Sequence, residues 1–429
     1  MDPLVQLQEE NQRLRKAVDE LSILNELARV ISSTMNLDTV IDHVVKRSVR
    51  TAHGQQGMIT LVDEEAPTEM KTLVRAQNST TNHQQFHINQ NILGWMMINK
   101  KALLTNDLSN DPRFTGVKAD VDIRSLLCVP LLVKNRLIGI LAVFNKKDGA
   151  GFSEDDKRLL SIIAAQSGQI LENARLYESE KSLISMQEEV RLASNIQLEL
   201  LPKKFPDISG YEIAGRSIPA QLVGGDYFDF IPMDDHRLAL SLGDVSGKGL
   251  PASLLMANLQ ATLRGQTLVN ATARDCVVRS NKLLFESTSS EKFVTLFYSI
   301  LDPQKHELVY CNAGHDHPFL LSEGKEPVRL KTGGIVVSIM EHFPFEEASV
   351  QLQPGDTVVV YSDGIPEAMN AEKELFGEER LTELLVKHHG LPAVELIDMI
   401  IGTAKAFAGR TPQSDDMTII VVKRKPGSA

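Results

Sequence analysis

Gly243-Asp244-Val245-Ser246-Gly247-Lys248-Gly249 stands between a strand-like run and a helix-like run, and its reading decides the fold of the second half of the chain. Before it, Arg237-Leu238-Ala239-Leu240-Ser241-Leu242 alternates and is apolar enough for a half-buried strand. After it, Leu250 to Leu263 repeats apolar residues at helical spacing, with Pro251 in the first turn, where a missing N–H costs little. A carboxylate at the end of a buried strand, beside glycines, is held on rigid backbone with room for a ligand to approach. A phosphate-binding P-loop is the rival reading of Gly247-Lys248. That loop needs four residues between its first glycine and Gly-Lys, followed by Ser or Thr. Here three intervene and Gly249 follows, so the pattern is not a P-loop.

Three further stretches put aspartate in a similar place: Val223-Gly224-Gly225-Asp226-Tyr227-Phe228-Asp229, Val358-Val359-Val360-Tyr361-Ser362-Asp363-Gly364, and Ser414-Asp415-Asp416-Met417-Thr418-Ile419. Any one of them could be an ordinary turn or cap. Four at the edges of apolar β runs point to convergence. Bare carboxylates about 4 Å apart repel by roughly 4 kcal/mol per pair at an effective dielectric near 20. A hard divalent cation with oxygen ligands removes that penalty, and Mg²⁺ or Mn²⁺ suits it.

These motifs, in this order and with Asn312-Ala313-Gly314-His315 between the second and third, resemble the bacterial metal-dependent serine/threonine protein phosphatases of the sporulation stage II E (SpoIIE) type. The likeness runs over about 190–425 and takes in Ala193-Ser194-Asn195-Ile196-Gln197-Leu198-Glu199-Leu200-Leu201-Pro202 at its start. It implies an α+β phosphatase domain, an αββα sandwich of two antiparallel sheets with metals at one edge. It also implies two Mn²⁺ or Mg²⁺ ions per active site. Asp244 would bridge both ions with help from the Val245 carbonyl, Asp226 would hold one ion, and Asp363 with Asp415 the other. Asp416, where many relatives have asparagine, is a further metal candidate. The implied chemistry is in-line attack of a metal-activated water on phosphorus, with no covalent enzyme intermediate. His315 is either a structural turn residue or a general acid for the leaving oxygen. The implied substrate is a phosphoserine or phosphothreonine protein, an anti-sigma-factor antagonist in a partner switch.

Composition is that of ordinary globular domains: 42% hydrophobic and 24% charged residues over 429, enough for two or three domains. A net charge of −11 disfavours sequence-independent binding to nucleic acid or anionic lipid. The three cysteines, Cys128, Cys276 and Cys311, are too few and too scattered for a disulfide framework. A polar N-terminus and the lack of any apolar run near 20 residues lead to the expectation of a cytoplasmic protein without membrane insertion.

Within 1–30, Leu4, Asn11, Val18 and Asn25 fall on one heptad position and Leu7, Leu14, Leu21 and Ala28 on another. Leucine at d with asparagine at a predicts a parallel two-stranded coiled coil and hence a homodimer. Over 21–175 the pattern becomes mixed α/β, with predicted strands at Met58–Val62, Ser125–Leu131 and Arg136–Val143, a loop-rich middle, and a helix opening at Ser153 as N-cap. Ser125-Leu126-Leu127-Cys128-Val129-Pro130-Leu131, Leu137-Ile138-Gly139-Ile140-Leu141 and Phe152-Ser153-Glu154-Asp155-Asp156 resemble a GAF sensor domain, an α/β fold. Asn110-Asp111-Pro112-Arg113-Phe114 is not followed by the Asp-Glu pair of cyclic-nucleotide-binding members, so the small ligand or protein sensed there stays unknown. Cys128 reads as a core residue of an apolar strand. A helical linker, 170–204, carries a broken second heptad through Leu176, Leu183, Met186, Val190, Ala193 and Leu200, and the phosphatase domain is expected over 205–425. Two other functions stay open on the sequence: a GAF-based scaffold whose phosphatase fold only binds partners, and hydrolysis of a small phosphoester.

Overall fold

Apolar runs become buried strands in both halves of the chain, and the helices lie where one side of a sheet would otherwise face water. The structure, a computed structural model, describes residues 10, 36–62, 71–75, 88, 90–114, 123–234, 236–269, 272–289 and 291–427. It divides into two units, Met1–Ser185 and Met186–Ala429. The coiled coil expected over 1–30 lies outside the described residues except for Glu10.

In the first unit, strands β1 (Gly54–Leu61), β2 (Lys71–Arg75), β3 (Leu103–Thr105), β4 (Leu126–Val133) and β5 (Arg136–Lys146) form an antiparallel sheet in the order β2-β1-β5-β4-β3. Helix α1 (Leu37–Thr51), capped by the Asn36 side chain, buries Val40, Ile41, Val44, Val45 and Val49 at helical spacing. These residues share a core with the sheet residues Val129, Leu141 and Val143 and with Leu160, Ile163, Ala164 and Leu171 of helix α3 (Glu154–Leu200). A separate core gathers Met58, Cys128, Ala142 and Phe144 with Ile92, Leu93 and Met96 of α2 (Gln90–Asn99). The middle that reads as loop-rich therefore contains α2 and β3. The α2 sequence, Gln-Asn-Ile-Leu-Gly-Trp-Met-Met-Ile-Asn, is apolar on most sides and shows no amphipathic period.

Ser153 caps α3 as expected. Its Oγ accepts the Asp156 N–H at 3.2 Å while Asp156 Oδ2 accepts the Ser153 N–H at 2.8 Å, a capping box with aspartate in the glutamate position. Arg113 donates to both Asp111 oxygens, at 2.8 and 2.6 Å, and to the Leu104 carbonyl. That hydrogen-bonded guanidinium holds the nearly buried Asp111 carboxyl down to about 2, so the Asn-Asp-Pro-Arg-Phe stretch is a structural staple. Cys128 is fully buried, and burial pushes its thiol well up, in keeping with a core role. Helix α3 runs unbroken through 170, the expected start of the linker. Leu176 and Leu183 in the first unit are more than half exposed, as is Met186 in the second.

The second unit has two sheets. One follows the order β13-β10-β9-β8-β7, built from β7 (Tyr227–Pro232), β8 (Leu238–Val245), β9 (Val294–Asp302), β10 (Glu307–Ala313) and β13 (Gly333–Gly334), with β14 (Ala348–Gln351) also on β10. The other follows β12-β11-β15-β16-β6, from β6 (Tyr211–Ile218), β11 (Phe319–Leu321), β12 (Val328–Arg329), β15 (Thr357–Tyr361) and β16 (Met417–Arg424). Pairing is antiparallel except between β10 and β13. The alternation of β9 sorts its side chains between two cores. Phe297 joins Phe228, Leu240, Val360 and Ile420, drawn from both sheets. Val294, Leu296, Tyr298 and Ile300 pack with α4 (Leu250–Thr267) and α5 (Ala273–Ser287). A third core joins the second sheet to α6 (Gly377–His388) and α7 (Ala393–Ala408).

Strands β6 and β7 are not evident in the sequence. Charged and glycine residues break the pattern of Tyr-Glu-Ile-Ala-Gly-Arg-Ser-Ile, and Asp229 breaks that of Tyr-Phe-Asp-Phe-Ile-Pro. Asp229 is nonetheless fully buried. It accepts bonds from Arg264 (2.7 and 3.1 Å), the Tyr227 hydroxyl (2.7 Å) and the Phe230 N–H (2.8 Å). Arg264→Ala leaves that carboxylate short of its cation. The expected loss is about 2 kcal/mol, below the 3–5 of a fully buried pair because the Arg264 side chain is half exposed. Urea unfolding of the variant and the unaltered chain checks it.

Candidate active site

The four sequence-predicted aspartate sites all lie at strand ends. Asp244 is the next-to-last residue of β8, opposite Thr295 of β9. The β7–β8 register pairs Tyr227 with Gly243, which carries Asp226, one residue before β7, to the level of Asp244. From the other sheet, Asp363 follows β15 by two residues, and Asp415-Asp416 immediately precede β16, its hydrogen-bonded neighbour. Two carboxylates thus come from the first sheet and three from the second. Ser362 ties the two groups, its Oγ donating to Asp226 Oδ2 at 2.7 Å.

Charge follows from this crowding. Burial and the neighbouring Asp244 raise the Asp226 carboxyl well above the usual carboxylate range. Burial, then Asp363, Asp415 and Asp416, lift Asp244 to about 7. Burial, then Glu367 and Asp415, lift Asp363 to about 6. Asp415 is the member with a cation: Lys248, from the opening motif, reaches it at 2.8 Å and the Ser414 carbonyl at 2.5 Å.

Asp416 does different work. Its Oδ1 accepts the Ala220 N–H at 2.7 Å, and its Oδ2 accepts those of Gly225 (2.7 Å) and Asp226 (3.3 Å). A β-carbon on Gly224 would stand 2.3 Å from Asp416 Oδ2, and one on Gly225 3.0 Å from the Val245 carbonyl. The glycine pair is therefore what lets the backbone before Asp226 lie against both. His315 is buried. Its Nδ1 pairs with Thr295 Oγ1 at 2.8 Å and its backbone N–H donates to Asn312 Oδ1 at 2.8 Å. Burial lowers the imidazole to about 4, so it is neutral and inward, braced against the residue opposite Asp244.

The donor set is one of hard oxygens, crowded and partly desolvated, whose mutual repulsion a divalent cation would relieve. Among the described residues no three Asp, Glu, His or Cys side chains are closed into a ready cage. Asp416 is directed at backbone N–H groups and Asp415 at Lys248, which accounts for that. Ser362, Lys248 and Asp416's loop contacts are the site features that sequence reading did not assign. The first two stand inside the quoted motifs, but nothing in spacing shows which way they point.

Residues 234–425 match the family model for Stage II sporulation protein E (SpoIIE), and residues 34–172 that for the GAF domain. The chain joins a GAF domain to a metal-dependent protein serine/threonine phosphatase domain of the SpoIIE type. Phosphoserine phosphatase RsbU of Bacillus subtilis (strain 168) is 27% identical over 254 residues, 58% of this chain and 75% of that one. Protein IcfG of Synechocystis sp. is 28% identical over 263 residues, 55% of this chain but only 41% of that one. The SiaA-PP2C domain of Pseudomonas aeruginosa shares the fold of the phosphatase domain, at a TM-score of 0.50 and 20% identity, over 56% of this chain and 98% of that one.

The raised carboxyls of the phosphatase domain have a consequence for stability. Unfolded aspartate titrates near 4, whereas Asp363 and Asp244 keep their protons up to about 6 and about 7 in the folded chain. Between those limits these two groups bind more protons in the folded state than in the unfolded one, so their contribution to stability falls as pH rises, against a smaller opposite contribution from His315, lowered to about 4. In chelator, the melting temperature should decline from about pH 4 to about pH 7, and the decline should be shallower in Asp244→Asn. Equal slopes for the two proteins would contradict the assignment.

Proposed function

We propose that the chain removes phosphate from serine or threonine on a partner protein, using divalent cations held by Asp226, Asp244, the Val245 carbonyl, Asp363 and Asp415. The observation that carries this reading is the meeting of Asp226 and Asp244 from one sheet with Asp363, Asp415 and Asp416 from the other, with Asp244 and Asp363 pushed up to about 7 and about 6 by burial and by neighbouring carboxylates. When bound, two Mn²⁺ or Mg²⁺ ions would supply Lewis-acid chemistry, polarising the phosphoryl group and acidifying a water nucleophile. The protein's own contribution is placement. Strands β8 and β16 and the turn after β15 fix the donors, Ser362 orients Asp226, and Asp416 anchors the 220–226 backbone rather than acting as a ligand. Lys248, half exposed beside Asp415, is the cation available to an incoming phosphoryl oxygen. His315 is too deeply buried to protonate a leaving group and serves as a brace.

Phosphoserine as the target is supported by the name of the relative RsbU. The SpoIIE resemblance points to an anti-sigma-factor antagonist as the protein that carries it. The layering of cores favours an αββα sandwich for the phosphatase domain. No helix among the described residues is long and apolar enough to cross a membrane, and three free, buried cysteines suit a reducing compartment such as the cytoplasm. The apolar residues left exposed along the second half of α3 support pairing with a second copy of the chain, with the GAF domain as the input to that helix.

Phosphate release from a phosphoserine protein should require Mn²⁺ or Mg²⁺, stop in chelator, and fall about a hundredfold or more in Asp244→Asn. Release that ignores both chelator and mutation would leave the phosphatase fold as a partner-binding scaffold. Within α3, Val190→Glu places a charge on the heptad seam. It should change turnover and lower the dimer fraction in sedimentation without unfolding the phosphatase domain, and unchanged turnover would remove the seam from the mechanism.

A further inference from the structure

We propose that Gln197, near the end of α3, is a positioning residue of the phosphatase site: it grips the backbone that carries Asp226 and makes the site sensitive to the rotation of its helix. Its side-chain amide is paired with both backbone groups of a single residue. Nε2 donates to the Gly224 carbonyl at 2.6 Å, and Oε1 accepts the Gly224 N–H at 3.0 Å. Gly224 is the point at which the other side of the same loop presses on Asp416, with no room for a β-carbon. The next two N–H groups, of Gly225 and Asp226, go to Asp416 Oδ2. Between β6 and β7 the loop is thus fixed by two side chains from opposite directions, one from α3 and one from the segment leading into β16.

The choice of residue fits the task. Of the side chains of this length, an amide both donates and accepts; methionine does neither, glutamate cannot donate when ionised, and asparagine is one methylene short. Leu201, just past the helix, packs against both cores that flank the first sheet, so the helix end is seated where Gln197 can act. A shift of α3 by one residue turns its side chains by about 100° and would carry the amide off Gly224. Rotation of this helix is therefore converted into freedom or constraint at Asp226, while Asp244, in the β8 ladder, is not touched.

The inference rests on the metal-dependent reading of the site. It is tested on the full chain by calorimetric titration with Mn²⁺ and by turnover of a phosphoserine protein, comparing Gln197→Met, which keeps length and helix preference, with Glu199→Ala, an exposed position two residues on. Gln197→Met should weaken Mn²⁺ binding about tenfold and lower kcat with KM for the phosphoprotein unchanged, and Glu199→Ala should do neither. A merely structural role would lower the melting temperature and leave Mn²⁺ affinity alone, and that result overturns the inference. If Gln197→Met does not fold, Gln197→Ala takes its place, and failure of both to fold also overturns it. An unaltered chain that binds no Mn²⁺ sinks the metal reading, and the positioning role with it.

Discussion

Packing five aspartates between the ends of two sheets is costly, and much of the second unit can be understood as the means of bearing that cost. Each pair of like charges at close range repels by several kcal/mol in a partly desolvated site, enough on its own to cancel a good part of a domain's net stability. The structure offsets it in three ways. Asp226 receives the Ser362 hydroxyl, Asp415 receives Lys248, and Asp416 spreads its charge over three backbone N–H groups. Burial and like-charged neighbours still outweigh these contacts at Asp226, which stays well above the usual carboxylate range, and lift Asp244 and Asp363 to about 7 and about 6. The three raised members are the ones a divalent cation would stabilise most.

Rigid ladders make such a cluster possible. A carboxylate pushed by its neighbours will move unless the backbone beneath it is committed elsewhere. In β8 the residues up to Val245 are paired with β9, and β15 and β16 pair with each other up to Tyr361 and Ile419. The three cores then clamp those strands from both faces. Asp229 extends the same logic away from the site. A fully buried carboxylate bonded to Arg264 links β7 to α4, the strand after Asp226 to the helix after Asp244.

What the sequence revealed and what it hid divide along physical lines. Asp244, Asp363 and Asp415 were legible because each sits where a strand pattern stops or starts, which is a local property, and Asp226 because a glycine pair precedes it. The alternation along β9, which sends Phe297 to one core and Tyr298 to the other, is local in the same way. Strands β6 and β7 were hidden because their buried polar residues are satisfied by partners far along the chain, as Asp229 is by Arg264. Helix α2 was hidden by an apolar surface without a period. The roles of Asp416 and His315 could not be read at all. Both depend on direction: toward the backbone of 220–226 in one case, and toward Thr295 rather than outward in the other.

Direction also separates the donors by how they can be controlled. Asp244 cannot shift without breaking the β8 ladder, and Asp363 and Asp415 flank a strand pair buried on both faces. Asp226 is preceded by an irregular stretch, 219–226, whose conformation depends on side-chain contacts and glycines rather than on strand pairing, and Asp415 lies in a second irregular stretch, which runs from the end of α7 to β16. A cluster in which some carboxylates sit on strand ladders and others on irregular backbone needs only a small displacement of the latter to pass between two states. Of the two irregular stretches, the one before Asp226 is bonded to the long helix Glu154–Leu200. Control placed there can alter the chemistry while leaving the cores intact.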